Sequence, residues 1–253
     1  MPIQFKKKPG LVIYLTAGDP DLATTRDIAL AAIDNGADVI ELGVPFSDPL
    51  ADGPVIQRAS ERAVAKGIRL TDVLNVAKQL RAARPQAGII LFSYLNPVLR
   101  LGFKDFCARA KDAGADGVLL TDMIVEEAGE YLDAMRTHQL SPVFLAAPTS
   151  PDARLKAIAE SSEGFVYAIS RTGITGTQSH LTSDAADVVT RLRQFTSLPI
   201  AVGFGISHAE HVRAVGEFAD AAVVGSAIVQ LIEKTATEQA ASTVGKFVAE
   251  LRR

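Results

Sequence analysis

The segment Asn35-Gly36-Ala37-Asp38-Val39-Ile40 ends one predicted helix and begins one predicted strand. Similar residues recur at Ala113-Gly114-Ala115-Asp116-Gly117-Val118, and a looser copy lies at Phe218-Ala219-Asp220-Ala221-Ala222-Val223. The spacing of the first two copies fits two strand–helix units of about 39 residues each. The repeat therefore predicts a fold that is built from strand–helix units in series. The aspartate of each copy falls at the start of a strand, where we expect a structural and not a catalytic role.

Short apolar runs of strand length alternate with helical patterns along the rest of the chain. Near-continuous apolar strands are typical of a parallel sheet that is covered on both faces. The chain has 253 residues, and a (β/α)₈ barrel has roughly 250. The sequence therefore predicts an α/β fold, a single (β/α)₈ barrel domain over residues 1–253 with extra short helices, and a doubly wound sheet is the alternative. The eight predicted strands are Leu11–Leu15, Val39–Val44, Gly88–Phe92, Gly117–Leu120, Val143–Ala146, Phe165–Ile169, Ile200–Val202 and Ala221–Val224.

The predicted helices carry recognisable stop signals. Gly36 and Gly114 are placed to terminate helices, and Pro85 cannot continue one. No linker and no low-complexity tract separates the predicted elements, which favours one domain. The predicted helices are Thr24–Asn35, Val55–Ala65, Leu70–Arg84, Phe103–Ala113, Val125–His138, Asp152–Glu160, Ser183–Phe195, His208–Glu217 and a terminal helical region over Ser226–Arg253.

The composition of the whole chain excludes several functional classes. A net charge of −3 provides no basic field that would hold nucleic acid or a membrane surface. No stretch approaches the ~20 apolar residues of a membrane-spanning helix, and the N-terminus lacks a secretion signal. Cys107 is the only cysteine, so an intramolecular disulfide is impossible and a packed side chain is expected. We therefore expect a soluble, cytoplasmic protein.

Glu41 is an acidic residue inside an apolar strand. A carboxylate in that position costs several kcal/mol unless it is paired or protonated. Strand alternation places Val39, Glu41 and Gly43 on one face. If that face is the barrel interior, burial raises the pKa of Glu41 toward neutrality and suits it to proton transfer. A structural glutamate that bonds the backbone fits the same pattern, so the pattern alone leaves both interpretations open.

Asp48 and Asp52 lie in the loop after the second strand, where active sites of this fold are found. Both aspartates also suit turns or the N-terminus of the helix that follows Gly53-Pro54. For Asp48 the turn interpretation is favoured. The pattern leaves Asp52 open between a turn residue and a side chain that projects over the pocket.

Three glycine-bearing loops follow the last three predicted strands. They are Ser170–Gln178, Gly203–Ser207 and Gly225–Val229. Phosphate sites in these barrels use the loops after the seventh and eighth strands together with a helix N-terminus, because glycine lets backbone N–H groups approach an anion. The three loops predict a phosphate site, with ordinary turns as the alternative.

The predicted strand ends have no lysine, which a Schiff-base aldolase needs. A metal-dependent aldolase needs a set of ligands. His208 and His211 could share a helix face, but no third ligand is nearby in the sequence. We therefore expect no cofactor and no metal, and acid–base chemistry on a phosphorylated substrate that supplies its own electron sink.

Six segments, in order along essentially the whole chain, resemble the signature segments of the tryptophan synthase α chain family. The most specific is ELGVPFSDPLADGP at Glu41–Pro54. The others are Leu15–Pro20, Ser93–Pro97, Tyr167–Gly176, Val202–Ser207 and Val224–Val229.

The resemblance implies roles that the pattern left open. Glu41 matches the general acid–base residue, and Asp52 matches the second catalytic carboxylate. The implied substrate-binding residues are Tyr94, Leu119, Leu145, Tyr167, Thr175 and Phe204; the phosphate-binding residues are Gly176, Gly205, Gly225 and Ser226; and the partner-coupling residues are Asp48 and Asp122.

The implied reaction is a retro-aldol cleavage of indole-3-glycerol phosphate to indole and D-glyceraldehyde 3-phosphate, a step of tryptophan biosynthesis. The implied partner is a β subunit with pyridoxal phosphate in an α₂β₂ complex, with loops at 45–53 and 171–182 as gates. An autonomous indole-releasing lyase and a phosphate-binding regulatory subunit are the alternatives. The intact pair of Glu41 and Asp52 argues against the regulatory subunit.

Two departures from the family pattern are visible. Tyr14 stands where many members have phenylalanine, so its hydroxyl is expected to alter packing at the edge of the indole site. The segment before the first strand is short, which predicts a reduced helix at the bottom of the barrel.

Overall fold

The computed structural model describes residues 3–169, 178–203 and 205–253. Its strands run parallel in the order β5-β4-β3-β2-β1-β9-β8-β7-β6. The two outer strands of that order, β5 and β6, are separated along the chain only by Phe144, so the sheet closes on itself. The predicted (β/α)₈ barrel is confirmed. The described strands are β1 (Gly10–Thr16), β2 (Val39–Gly43), β3 (Gly88–Ser93), β4 (Gly117–Leu120), β5 (Ser141–Val143), β6 (Leu145–Ala146), β7 (Val166–Ile169), β8 (Ile200–Gly203) and β9 (Ala221–Val224).

One predicted strand, Val143–Ala146, was wrong in its extent and continuity. The structure has β5 and β6 in its place. β5 pairs with β4, whereas β6 pairs with β7, and the Phe144 carbonyl accepts a hydrogen bond from the Tyr167 amide at 3.1 Å. Neighbouring strands of a barrel are staggered, so this short segment bonds one neighbour with its first half and the other neighbour with its second half.

The helices follow the predicted order with three differences. The predicted helix Val125–His138 is a 3₁₀ turn at Val125–Glu127 followed by a separate helix, and the terminal helical region is two helices. A short helix at Leu95–Leu99 was not predicted; the Asp122 carboxylate accepts a hydrogen bond from its first amide. The described helices are α1 (Leu22–Asp34), α2 (Pro54–Ala65), α3 (Leu70–Ala83), α4 (Leu95–Leu99), α5 (Phe103–Asp112), α6 (Gly129–Thr137), α7 (Asp152–Ser161), α8 (Gln178–Leu192), α9 (Ala209–Gly216), α10 (Ser226–Glu233) and α11 (Thr237–Leu251).

Alternate residues of β2 face opposite sides of the barrel wall, as the sequence predicts. Val39 belongs to the apolar cluster of the barrel interior, whereas Ile40 and Leu42 belong to the larger cluster between the sheet and the helices. Cys107 is buried in that larger cluster, which confirms its predicted packing. Glu41 therefore shares the interior face with Val39.

The segment before β1 forms no helix over the described residues 3–9. Ile3 is buried in the interior cluster, and the rings of Phe5 and Phe165 meet edge to face with centroids 6.0 Å apart. Two apolar side chains of this non-helical segment thus pack into the bottom of the barrel, consistent with the expected reduction of the helix there.

The aspartates of the sequence repeat have one shared role. Each accepts a hydrogen bond from a backbone amide at the start of the neighbouring strand, and each also pairs with an arginine. A carboxylate that satisfies a buried amide and a guanidinium stabilises the barrel wall, which agrees with the predicted structural role. The three sets of carboxylate, amide and arginine are Asp38, Leu11 and Arg252; Asp116, Ile89 and Arg81; and Asp220, Ile200 and Arg193.

Asp116→Ala is expected to lower the free energy of unfolding by about 2–4 kcal/mol. The change removes the carboxylate that accepts hydrogen bonds from the Ile89 amide, at 2.9 Å, and from the Arg81 guanidinium, at 2.6 Å. Urea unfolding measures the loss. Asp112→Ala is the control, because Asp112 and its partner Lys78 are exposed and such pairs contribute roughly 0–1 kcal/mol. Equal losses in the two variants would contradict the assigned role of Asp116.

Candidate active site

A cavity of about 580 Å³ opens at the carboxyl ends of the barrel strands. Active sites of this fold lie at that end. Both predicted catalytic carboxylates line it, together with the three glycine or serine residues that the structure describes from the predicted phosphate site. These lining residues are Glu41, Asp52, Gly205, Gly225 and Ser226.

Glu41 lies in β2 between Tyr14 of β1 and Ile90 of β3 in the strand register. Its side chain is fully buried, and neither carboxyl oxygen has a hydrogen-bond partner within the described part of the chain. Burial without a partner penalises the charged form and raises the pKa of Glu41 to about 8. At neutral pH the group is therefore an acid that can donate its proton into the cavity.

Asp52 reaches the same cavity from the loop between β2 and α2. Burial raises the pKa of Asp52 to about 6, and a hydrogen bond from the Tyr94 hydroxyl, at 3.0 Å, opposes that rise. The same Tyr94 oxygen accepts a bond from the Ala51 amide at 2.9 Å. Asp52 is thus mostly ionised at neutral pH and fixed in place, while Glu41 stays protonated.

The remaining predicted substrate residues divide into two groups. Leu145 and Tyr167 line the cavity wall. Tyr94 lies behind Asp52, tilted against Phe46 with ring centroids 5.1 Å apart, and Leu119 is fully buried in the barrel interior; neither belongs to the described lining. Tyr94 thus acts on the site through Asp52, a link between loops that sequence reasoning missed.

Two of the predicted phosphate residues lie at the start of α10. Gly225 is the N-cap residue of α10 and Ser226 its first residue, and the cap makes no side-chain hydrogen bond. The first amides of a helix lack acceptors within the helix, so their N–H groups suit an anion. Gly205 lies on the same cavity wall. Thr175, Gly176 and Phe204 lie outside the described residues, as does most of the predicted gate at 171–182.

Neither of the two predicted partner-coupling residues lines the cavity. Asp48 is exposed and accepts a bond from the Ser47 hydroxyl at 2.7 Å, and Asp122 is exposed beside α4. Leu50, in the same loop as Asp48, is 92% exposed.

Two tyrosines stand over glycines on the cavity wall. A Cβ on Gly43 would lie 2.3 Å from the Tyr14 hydroxyl, and a Cβ on Gly203 would lie 2.1 Å from the Tyr167 hydroxyl. A Cβ at either position would therefore force the tyrosine ring above it to move. The Tyr14 ring also meets Phe92 edge to face at 5.1 Å, and burial raises its pKa well above the ordinary value. The Tyr14 hydroxyl thus remains a neutral polar group between the strands that carry the site.

Several lining residues were not predicted. They sit at strand ends or near the starts of α2 and α10, so their only signal was position relative to a strand end. They are Val55, Ile56, Phe92, Thr121, Ile169, Val223 and Gln230, whereas Ile206, Ser207 and Ala227 fall within the predicted phosphate loops.

Within the described residues, no group of three or more His, Cys, Asp or Glu side chains could hold a metal ion. None of the helices in those same parts of the chain combines the length and apolar character that a bilayer crossing requires.

Comparison with known proteins identifies the family. A family model described as "Tryptophan synthase alpha chain" matches residues 2–252. A tryptophan synthase alpha chain of Cupriavidus taiwanensis is 47% identical over 247 residues, covering 98% of this chain and 93% of the relative. One of Burkholderia pseudomallei is 48% identical over 245 residues, covering 97% and 90%.

Solved structures agree with the sequence relatives. A chain of the tryptophan synthase complex of Pyrococcus furiosus matches with a TM-score of 0.90 and 40% identity, covering 98% of this chain and 99% of that one. A second structure, of the α₂β₂ complex of the same organism, gives 0.91 and 41% with the same coverage. This chain belongs to the tryptophan synthase alpha chain family.

Proposed function

We propose that the chain cleaves indole-3-glycerol phosphate to indole and D-glyceraldehyde 3-phosphate, the α reaction of tryptophan synthase. The observation that carries this proposal is the cavity shared by a protonated Glu41, an ionised Asp52 and the start of α10. The three features match a substrate with one basic carbon, one N–H group and one phosphate.

Glu41 is the proton carrier in this proposal. Its protonated form donates a proton to C3 of the indole ring, which turns the ring into an electron sink and makes it a leaving group. The resulting carboxylate takes the proton from the side-chain hydroxyl next to that carbon. The electrons of the O–H bond form the aldehyde C=O, the C–C bond breaks, and its electron pair returns to the indole ring. Glu41 ends protonated again, so one residue serves both transfers.

Asp52 stabilises the charge that develops during the first transfer. Protonation at C3 places positive charge on N1, and an ionised carboxylate that accepts the N1–H bond opposes it. Tyr94 holds this carboxylate in a fixed orientation. A preorganised charge of this kind acts without reorganisation at the moment of reaction.

We also propose that the chain works in the cytoplasm as the α subunit of an α₂β₂ complex with a tryptophan synthase β subunit. The structural likeness to a chain of an α₂β₂ tryptophan synthase complex supports this proposal. The exposed side chains of Asp48, Leu50 and Asp122 lie on loops that also supply Ala51 and Thr121 to the cavity, so a partner bound to these loops would lie next to the site.

Indole release from indole-3-glycerol phosphate by the isolated chain tests the function, measured with and without a β subunit. The proposal expects slow release alone and faster release with the partner. Fast release that the partner does not change would favour an autonomous lyase. No release under either condition, with indole-3-glycerol phosphate still bound, would favour the regulatory subunit.

Ser226→Asp is expected to raise KM for indole-3-glycerol phosphate at least about tenfold, because a carboxylate beside the phosphate repels it. Steady-state kinetics measures KM, and kcat at saturation should change much less. Ser226→Ala is the control and should cost only a few-fold, since the backbone amides of α10 remain. An unchanged KM in the aspartate variant would remove the start of α10 as the phosphate site.

A further inference from the structure

Two helices are inserted between a barrel strand and a second helix along the chain. α2 lies between β2 and α3, and α10 lies between β9 and α11. α2 begins just after Asp52, and α10 begins at Ser226, so they carry the two ends of the candidate site. Ala59 of α2 and Val229 of α10 are buried together against Tyr14. The separation of Asp52 from the phosphate cradle therefore depends on how these two helices are held against each other.

Four charged side chains join the outer sides of the same helices. Arg58 donates two hydrogen bonds to Glu233, at 3.1 and 3.0 Å, and Arg62 donates a third at 2.8 Å. Arg62 also donates two bonds to Asp19, at 2.9 and 2.7 Å, in the loop after β1. We call Asp19, Arg58, Arg62 and Glu233 the ionic clamp.

The ionic clamp is more buried at Asp19 and better aligned than an ordinary surface ion pair. Asp19 is only 5% exposed, and its two oxygens meet the Arg62 fork in a bidentate arrangement. The two bonds from Arg58, and then the one from Arg62, lower the pKa of Glu233 to about 2. Glu233 and its two arginine partners therefore stay charged over the pH range in which Glu41 and Asp52 titrate.

The ionic clamp reaches Asp52 through the backbone of its loop. The Gln57 side chain of α2 donates to the Asp52 carbonyl at 2.8 Å and to the Pro49 carbonyl at 3.4 Å. A shift of α2 therefore moves the backbone of Asp52. The corresponding shift of α10 would move the amides of Ser226.

We infer that Glu233, through the ionic clamp, is a positioning residue that fixes the distance between the phosphate cradle and Asp52. The inference rests on the proposed function, since that distance must fit one substrate. Arg58 and Arg62 are the connecting groups, and Asp19 anchors them to the barrel.

Glu233→Gln in the full-length chain tests the inference. The variant is expected to bind glycerol 3-phosphate about tenfold more weakly by calorimetry and to lose about tenfold or more in kcat/KM, because a displacement of about 1 Å costs up to roughly 10² in rate. Electrostatics alone predicts the opposite change in the affinity for glycerol 3-phosphate. Removal of a negative charge near α10 leaves two arginines less neutralised and should tighten phosphate binding.

Asp34→Asn is the matched control. Asp34 receives two bonds from Arg84, both at 2.7 Å, and joins α1 to the end of α3 away from the cavity. Both variants should unfold within a few degrees of the unmodified chain, and only Glu233→Gln should change glycerol 3-phosphate binding and KM. Unchanged or tighter binding in Glu233→Gln would overturn the inference. Failure of the unmodified chain to cleave indole-3-glycerol phosphate would instead overturn the proposed function, and the binding comparison would still decide the clamp.

Discussion

Glu41→Gln is expected to lower kcat for indole release by roughly 10⁴-fold while leaving KM within a few-fold of its original value. Both proposed proton transfers pass through this side chain, and a carboxamide can neither donate nor accept the proton. The shape of the cavity is preserved, because glutamine has nearly the same volume. Single-turnover kinetics and equilibrium binding of glycerol 3-phosphate measure the two effects separately.

The same substitution is expected to stabilise the fold. The pKa of Glu41 is about 8 in the folded chain against 4.5 ordinarily, so between these values only the unfolded chain ionises. Stability that is fully present below pH 4.5 is therefore lost as the pH rises toward 8. Glutamine has no such dependence, and at pH 7 the variant should gain up to about 3 kcal/mol. A loss of turnover with a gain of stability is the signature of a residue kept for chemistry.

Glu61→Gln provides the control for that experiment, since Glu61 lies exposed on α2. Its kcat and unfolding midpoint should match those of the unmodified chain. In the unmodified chain, kcat should fall as the pH rises above about 8, where Glu41 loses its proton. Near-normal turnover in Glu41→Gln, or an alkaline limb that survives in it, would remove Glu41 from the proposed role.

The sequence predicted features that depend on local period and on short repeats. Alternation along β2 put Glu41 on one face with Val39, which the structure shows to be the interior face, and the repeated aspartates were assigned to strand starts, where they are found. The break between β5 and β6 was missed, because it arises from the stagger of neighbouring strands and leaves no mark on an apolar run.

Contacts between distant residues could not be predicted. The Tyr94 hydroxyl meets Asp52 across two different loops, and Glu233 meets Arg58 from far along the chain. No periodic pattern encodes such pairs, since their geometry follows from closure of the barrel. The resemblance to the family placed Tyr94 and Leu119 with the substrate, whereas the structure puts one behind Asp52 and the other in the barrel interior. Their assignment to substrate binding stays a prediction.

Asp52→Asn is expected to lower kcat by about 10²–10³, the range typical when one preorganised group that stabilises transition-state charge is removed. Asparagine keeps an oxygen that can accept the Tyr94 hydroxyl bond, so the loop should hold its position. It cannot, however, oppose the positive charge that develops on N1 of indole. KM should change little, because the charge appears only after protonation at C3. Steady-state kinetics at saturating substrate measures the loss.

Tyr94→Phe separates the charge of Asp52 from its orientation. The Tyr94 bond lowers the pKa of Asp52, so removing the hydroxyl raises that pKa above about 6 and leaves less carboxylate at neutral pH. We expect a smaller loss, about tenfold, that diminishes as the pH rises from 6.5 to 8. The ratio of the Asp52→Asn rate to the unmodified rate should show no such recovery, since its charge cannot be restored by pH. If both variants recovered equally, the ionised form of Asp52 would not be the group that stabilises N1, and the Tyr94 bond would serve only to shape the loop.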